Sequence, residues 1–186
     1  MRLLASLPNL LSSVRLALAP VVAARIAGGS YADALLWLLL AGITDGLDGW
    51  LARRFGWMTR AGALLDPLAD KALLVLSYLA MGYGGVVPSW LVWLVVGRDA
   101  AILLFAVPML LLGKRRYFPP SAWGKISTLV QILTGVSALG GRALRLEAPG
   151  GLLPFLFLLT AAVTAGSGIH YGWRAARWRE PGPSGA

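Results

Sequence analysis

Residues 45–70 read DGLDGWLARRFGWMTRAGALLDPLAD, and this stretch places four aspartates inside two otherwise apolar segments. Asp45 and Asp48 are three positions apart, and Asp66 and Asp70 are four positions apart. Residues at either spacing lie on the same face of an α-helix. The stretch therefore predicts two consecutive helices, each of which presents one acidic face.

Acidic faces of this kind are costly inside a membrane. One ionised carboxylate near the centre of a bilayer costs roughly 2.5–3.5 kcal/mol on insertion scales, so a cation has to compensate four of them. Two acidic faces turned toward each other form a cage of oxygen ligands, which suits Mg²⁺ or Mn²⁺. The chain has no cysteine and a single histidine, His170, which excludes a thiolate site and a histidine-rich zinc site. The sequence thus predicts a membrane-embedded metalloenzyme.

The composition of the chain is typical of a membrane protein. Of its 186 residues, 58% are hydrophobic and 13% are charged, and the mean hydropathy is +0.71. A soluble domain contains about 25% charged residues. The net charge is +9, and the basic residues cluster beside apolar runs. This arrangement favours anionic lipid headgroups and phosphorylated substrates as partners over nucleic acid.

Six hydrophobic runs are long enough to cross the hydrocarbon core of a bilayer. They predict an all-α, polytopic integral membrane protein with six transmembrane helices and a polar metal-binding pocket. We expect one membrane domain over residues 1–179 and a short disordered tail over residues 180–186. The runs cover residues 8–27, 31–52, 61–82, 88–112, 120–140 and 151–172.

The charges of the connecting segments predict the orientation of the chain. The connectors after the second and the fourth run carry three basic residues each, whereas residues 28–31 and 83–87 carry no charge. The fifth connector is an exception, because Arg142 and Arg145 outnumber Glu147 there. Since Lys and Arg favour the cytoplasmic side, we expect both termini and the aspartate pocket to face the cytoplasm from the inner membrane.

The aspartate stretch resembles the signature of the CDP-alcohol phosphotransferases, also called CDP-alcohol phosphatidyltransferases. That signature reads D-x-x-D-G-x-x-A-R, a linker, and then G-x-x-x-D-x-x-x-D. All eight specified positions are filled, the first part by residues 45–53 and the second by residues 62–70. The resemblance extends from Pro8-Asn9-Leu10 to about Gln131.

The resemblance implies a transfer reaction. Members of the family attack the β-phosphorus of a CDP-linked lipid with an alcohol hydroxyl and release CMP. By the same resemblance, Asp45, Asp48 and Asp66 ligate a metal ion, and Asp70 both ligates a second ion and acts as the general base. Two divalent ions can neutralise a pyrophosphate and stabilise the leaving CMP. The resemblance also implies a homodimer.

Residues between and beside the aspartates are predicted to bind the CDP-lipid. Gly46 and Gly49 lack a Cβ atom, so a nucleotide can approach the helix backbone closely. Arg53 lies one turn beyond Gly49, where its guanidinium can hold a phosphate or the cytidine end. The family pattern adds three further CDP-lipid-binding residues: Asn9, Thr59 and Gly62.

The predicted acceptor site lies in the second half of the chain and consists of Arg98 and Lys125. Gly97-Arg98-Asp99 and Gly124-Lys125-Ile126-Ser127-Thr128 look like the matching segments of two branches, the phosphatidylglycerophosphate synthases and the CMP-forming cardiolipin synthases. The first branch usually has Arg-Glu followed by a second arginine eight residues later, and this chain has Ala106 there. We therefore expect phosphatidylglycerol as the acceptor, with glycerol 3-phosphate as the alternative. Arg98 and Asp99 point about 100° apart on a helix, so we do not expect them to pair with each other.

Two other function classes compete with an active enzyme. An ion-coupled transporter also keeps carboxylates in the membrane. Inverted-repeat transporters have acidic or broken segments in both halves, however, and all four aspartates lie within the first 70 residues. An inactive scaffold would usually have lost at least one motif position. Arg98 and Lys125 also have structural interpretations, an interhelical salt bridge and a lysine that extends to the interface.

Overall fold

The computed structural model describes residues 7–55, 62–111, 122–146 and 151–176. Within these ranges, the description leaves out the side chains of residues 7–9, 47–53, 55, 62–64, 67, 105–111 and 174–176. The predicted tail, residues 180–186, and the predicted CDP-lipid residue Thr59 lie outside the described residues.

The described residues form six α-helices joined by turns and connectors, and they contain no β-strand. Each helix coincides with one of the six hydrophobic runs to within about four residues, so the all-α prediction is confirmed for the described part of the chain. The helices are α1 (Leu7–Ala27), α2 (Tyr31–Phe55), α3 (Gly62–Tyr83), α4 (Ser89–Leu111), α5 (Ala122–Ala143) and α6 (Leu152–Ala176).

The principal helix contacts close a ring. Helix α1 packs against α2 and α3, α3 continues to α4, α4 to α6, α6 to α5, and α5 returns to α2. Side chains from α1, α2, α3 and α5 can therefore meet on the inside of the ring. The described apolar core is built mainly from α1, α3 and α4, with Ile26, Tyr78, Met81, Leu91 and Val95 among its buried members.

Three helices end in a Schellman motif, in which a residue in the left-handed conformation closes the last turn. After α1, the Ser30 amide donates to the Arg25 carbonyl over 2.9 Å, and Gly29 has a φ of +77°. Helix α3 ends in the same way at Gly85, with a φ of +63°, and α5 ends at Arg145, with a φ of +51°. These turns lie at the end of the bundle opposite to the four aspartates.

The outer surface of the bundle is unusually apolar. Large apolar side chains are exposed on every helix, including Leu36 and Leu40 on α2, Trp93 on α4 and Leu158 on α6. A soluble monomer rarely exposes apolar patches on this scale. Among the described residues, two helical segments pass a length-and-composition test for a membrane span, Leu10–Ala27 and Leu152–Trp173. The surface and these two segments agree with a membrane protein, and the number of six spans stays a prediction.

Candidate active site

The structure groups three of the four motif aspartates around helix α1. Asp45 lies in the second half of α2, and Asp66 and Asp70 lie in the first half of α3. Arg15 of α1 lies between the two helices, with its Nη1 atom 2.6 Å from Oδ1 of Asp45 and 2.8 Å from Oδ1 of Asp70. The Arg15 side chain is 2% exposed, whereas those of Asp45 and Asp70 are 43% and 46% exposed. One buried cation therefore holds carboxylates from two helices.

A second polar contact joins α1 to the same end of α3. Ser12, which is buried, donates its hydroxyl hydrogen bond to Oδ1 of Asp66. Ser12 and Arg15 are three residues apart on α1, and Asp66 and Asp70 are four residues apart on α3. At either spacing, the two residues lie on the same face of their helix. The two faces are matched, with each α1 residue opposite one aspartate of α3.

Sequence reasoning missed Ser12 and Arg15 as site residues. Arg15 interrupts an otherwise apolar run, and an ionisable residue inside a membrane segment indicates a functional site by default. That signal was available in the sequence. The identity of its partners was not, because it depends on how α1 packs against α2 and α3.

A cavity of about 470 Å³ opens beside these charges. Its charged lining comes from Arg15, Asp45, Asp70 and Lys71, while the rest is largely apolar. The apolar walls are formed by residues of α2, α3 and α5, among them Leu38, Leu39, Ile43, Leu73, Leu74, Ile132 and Val136. A long apolar group can therefore lie in this cavity with a polar end at Asp45 and Asp70.

Arg98, a predicted acceptor residue, is buried within a polar network. Its Nη1 atom lies 2.5 Å from Oδ1 of Asp99, and its Nη2 atom donates to the Ser167 hydroxyl over 2.7 Å. A weaker bond of 3.4 Å runs from Nη2 to the Gly124 carbonyl, and the guanidinium carbon lies 5.9 Å from the centre of the Tyr171 ring. The expectation that Arg98 and Asp99 do not pair was wrong. The arginine side chain is long enough for its guanidinium to reach the carboxylate of Asp99, the next residue on the helix.

Asp99 is the centre of this network. It is fully buried and has a cation on each carboxylate oxygen, since Nζ of Lys71 lies 2.9 Å from Oδ2. The Lys71 contact is an ion pair by distance but lacks the geometry of a hydrogen bond. Lys71 follows Asp70 directly on α3 and lines the same cavity. The network therefore connects the cavity with α4 and, through Arg98, with α5 and α6.

Lys125, the other predicted acceptor residue, differs from Arg98 in accessibility. It lies near the start of α5 and is exposed, next to the buried Gly124. Arg98 is only 7% exposed. The structure thus leaves Lys125 accessible to an external group and surrounds Arg98 with protein partners.

Comparison with known proteins identifies the family. The family model described as CDP-alcohol phosphatidyltransferase matches residues 5–166. This chain belongs to the CDP-alcohol phosphatidyltransferase family.

Relatives within this family carry two different names. Over 186 aligned residues, the chain is 33% identical to the cardiolipin synthase (CMP-forming) of Rattus norvegicus, and the alignment covers 90% of this chain and 61% of the relative. Over 182 residues it is 32% identical to a probable phosphatidylglycerophosphate synthase of Mycobacterium tuberculosis, covering 94% of this chain and 83% of the relative. The chain is also 33% identical to the cardiolipin synthase (CMP-forming) of Homo sapiens, and that alignment covers 90% of this chain and 62% of the relative. The chain therefore spans somewhat less than two thirds of the cardiolipin synthases that it resembles.

Several predicted site residues of the family motif lie where their side chains are not described. Asp48, Gly49 and Arg53 follow Asp45 on α2, within the two turns or so that end the helix. Asn9 lies in the first turn of α1, and Gly62 is the first residue of α3. Their positions along the helices place all five at the same end of the bundle as Asp45.

Two described aspartates, Asp45 and Asp70, present oxygen donors of the kind that a hard divalent cation prefers, but the described residues do not by themselves complete a site for one. Among the described side chains, no three of Asp, Glu or His approach closely enough to hold one ion. The side chain of Asp48 is not among those described. The described donors are carboxylate oxygens of Asp45 and Asp70 that already share one cation, the Arg15 guanidinium. Carboxylate oxygens are the ligands that Mg²⁺ and Mn²⁺ prefer. The donor chemistry and the attraction for positive charge therefore both suit a divalent ion.

Proposed function

We propose that this chain transfers the phosphatidyl group of CDP-diacylglycerol to an alcohol hydroxyl, releases CMP, and requires divalent metal ions. The observation that carries the proposal is the grouping of Asp45, Asp66 and Asp70 at one end of α2 and α3, inside a complete family motif. Family membership supports the reaction class and speaks against a transporter. The intact motif speaks against an inactive scaffold.

In this proposal, the acceptor oxygen forms a bond to the β-phosphorus while the bond from that phosphorus to the CMP oxygen breaks. CMP leaves with the electron pair, and the hydroxyl proton passes to Asp70. The Asp70 carboxylate is about half exposed and lines the cavity, so a hydroxyl can come within hydrogen-bond reach of it. Metal ions, when bound, neutralise the pyrophosphate and stabilise the leaving group.

The other motif residues bind the ions and the CDP-lipid. Asp45, Asp48 and Asp66 ligate one ion, and Asp70 also ligates a second. Ser12 supports this assignment for Asp66, because its hydrogen bond fixes the orientation of that carboxylate. The CDP-lipid-binding residues are Asn9, Gly49, Arg53, Thr59 and Gly62.

The acceptor that we propose is phosphatidylglycerol, which would make the reaction that of a cardiolipin synthase. The Gly97-Arg98-Asp99 sequence and Ala106 support this choice. The cavity beside Asp70 supports it as well, since its apolar walls suit a lipid acceptor better than a small polar one. In this proposal Arg98 and Lys125 hold the acceptor, Lys125 from an exposed position and Arg98 from within the buried polar network.

Glycerol 3-phosphate remains the alternative acceptor. The observation in its favour is the M. tuberculosis relative named as a probable phosphatidylglycerophosphate synthase, of which the alignment covers 83%. A phosphorylated glycerol would need a cation near Asp70, and Lys71 lines the cavity there.

We propose that the protein lies in the inner membrane as six spanning helices, with the termini and the site on the cytoplasmic side, and that it forms a homodimer. The uncharged turns at residues 28–30 and 84–88 support the orientation, because they lie at the end of the bundle opposite to the aspartates.

CMP release by the purified protein tests the proposed reaction. The protein is supplied with CDP-diacylglycerol and Mg²⁺ or Mn²⁺, and phosphatidylglycerol is compared with glycerol 3-phosphate, with inositol and serine as control alcohols. We expect phosphatidylglycerol to stimulate CMP release. Stimulation by glycerol 3-phosphate alone would replace the proposed acceptor by the alternative, and no release with any alcohol from a folded sample would support the scaffold.

A further inference from the structure

A second cavity, of about 430 Å³, opens at the end of the bundle opposite to the aspartates. It lies between residues 29–33, where α2 begins, and the end of α5. At 1.5 Å per residue, Asp45 is about 21 Å further along α2 than Tyr31, which lines this cavity. The cavity is therefore separate from the site of the proposed reaction.

Two exposed arginines, Arg142 and Arg145, supply the positive charge of this cavity. Arg142 donates from Nη2 to the Gly85 carbonyl over 3.1 Å, which leaves most of its N–H donors for other acceptors. Among the described residues, neither arginine forms an ion pair. Asp33 also lines the cavity, but its charge is compensated by Arg25 at 3.5 Å. The lining therefore carries a surplus of positive charge, and guanidinium groups bind phosphate well.

The surroundings of the two arginines are those of a membrane surface. Leu144 and Leu146 alternate with them along the chain and are 67% and 62% exposed. Tyr83 and Trp90 are exposed at the same end of the bundle, and such aromatic residues concentrate at the membrane–water interface. A segment that mixes basic and apolar side chains lies at this level, with its charges among the headgroups and its apolar groups among the acyl chains.

We propose that this cavity binds the phosphate of an anionic phospholipid, in the leaflet opposite to the active site. Arg142 and Arg145 bind the phosphate oxygens, and Leu144 and Leu146 contact the acyl chains. The inference rests on the membrane-spanning arrangement of the proposed function, but on neither its metal ions nor its reaction. A lipid in this position joins the start of α2 to the end of α5, so its binding stabilises the folded bundle.

Lipid binding to the purified full chain in detergent micelles tests this site. Phosphatidylserine is the anionic probe, because its headgroup lacks the terminal glycerol of the proposed acceptor, and phosphatidylcholine with the same acyl chains is the zwitterionic comparison. Bound lipid is counted by native mass spectrometry, and the rise in Tm gives a second readout. We expect phosphatidylserine to bind more tightly than phosphatidylcholine.

The variant Arg145→Gln removes one of the two charges. We expect its Kd for phosphatidylserine to rise about fivefold, the effect of one basic residue near an anionic lipid surface. The end of α5 should be preserved, because glutamine meets the same cost as arginine at a φ of +51°. Asp33→Asn should act in the opposite direction and lower the Kd, because it removes a negative charge from the lining.

Arg54→Gln is the matched control, since Arg54 is also exposed but lies at the other end of α2. Its Kd for phosphatidylserine should equal that of the unaltered protein. Equal Kd values in Arg145→Gln and Arg54→Gln, or equal binding of the two lipids, would overturn the site. Displacement of the lipid by millimolar inorganic phosphate would assign the cavity to a free phosphate and overturn the lipid.

CMP release is measured on the same preparations, so that the two proposals fail separately. Arg145→Gln should release CMP at the rate of the unaltered protein. Normal release together with equal lipid binding in all variants would contradict this inference alone. Selective binding of phosphatidylserine in a protein that releases no CMP would contradict the proposed reaction alone.

Discussion

At the scale of single residues, the two acidic clusters of this protein are compensated in different ways. Asp45 and Asp70 share one arginine and remain close to half exposed, whereas Asp99 is fully buried between Arg98 and Lys71. Exposure leaves Asp45 and Asp70 available to ions and substrates. Asp99, by contrast, is completely buried and has a cation on each carboxylate oxygen, so it does not offer an oxygen atom to solvent.

Asp70→Asn tests the assignment of the general base. An amide cannot accept the hydroxyl proton, yet it has nearly the same shape, so CDP-lipid binding should stay close to that of the unaltered protein. We expect CMP release to fall at least about 100-fold, the low end of what a positioned base contributes. Turnover is measured by CMP release and binding by calorimetry with CDP-diacylglycerol. Turnover within a few-fold of the unaltered protein would remove Asp70 as the base.

Asp99→Asn tests the structural role of the buried network. The substitution leaves two cations, Arg98 and Lys71, without their shared carboxylate, and loss of one partner from a buried pair costs about 3–5 kcal/mol. We expect a large decrease in Tm in detergent micelles. Asp33→Asn is the control, because Asp33 and its partner Arg25 are both more than half exposed, and an exposed pair contributes about 0–1 kcal/mol. Equal Tm values for the two variants would show that the Asp99 pairs contribute little to stability.

At the scale of helices, the sequence predicted where each helix lies along the chain, but it did not predict which side chains contact each other between helices. All six helices follow from runs of apolar residues, because hydropathy is a property of each segment alone. The contacts of Arg15 and of Arg98 depend on which helices become neighbours, which no single segment records. Helix α6 shows the same limit: Thr160 and Thr164 bind Thr134 and Gln131 of α5, and the sequence alone gave no partner for either residue.

The close contact between α3 and α4 at Gly82 gives a test at this scale. A Cβ atom on Gly82 would lie 2.8 Å from Cγ2 of Val92, a branched and buried side chain with few alternative rotamers. Gly82→Ala should therefore destabilise the protein by about 1–3 kcal/mol through overpacking. Gly166→Ala is the control, since nothing lies within 4 Å of its Cβ position. We expect the control to be neutral or up to about 1 kcal/mol more stable. Both are measured by thermal unfolding, and equal stability of the two variants would contradict this packing.

At the scale of the whole molecule, the described residues form a ring of six helices that presents apolar side chains outward and has Asp45, Asp66 and Asp70 toward one end of the bundle. Exposed leucines and tryptophans on the outside, together with Phe155, suit the hydrocarbon core of a bilayer. The aspartates lie toward the end of α2 and the start of α3, the two helices that the arginine-rich second connector joins in the sequence. The architecture therefore combines an apolar exterior with a polar site toward one end of the bundle.

The orientation of this bundle can be measured directly, because the chain has no native cysteine. Ala122, at the start of α5, and Ser89, at the start of α4, are small, exposed and at opposite ends of the bundle. An impermeant maleimide should label Ala122→Cys from the cytoplasmic side and Ser89→Cys from the other side. The reverse pattern would invert the topology, and labelling of both from one side would contradict the spanning of α4.

The measurement that tests the central claim most directly is the metal dependence of CMP release in the unaltered protein and in Asp45→Ala. After chelation, the unaltered protein should release no CMP from CDP-diacylglycerol and phosphatidylglycerol, and Mg²⁺ or Mn²⁺ should restore the release. Asp45→Ala should stay inactive at every ion concentration, because it lacks one of the carboxylates that hold the ion. Release without any divalent ion, or a normal Mg²⁺ response in Asp45→Ala, would contradict the assignment of this site as a metal-dependent catalytic centre.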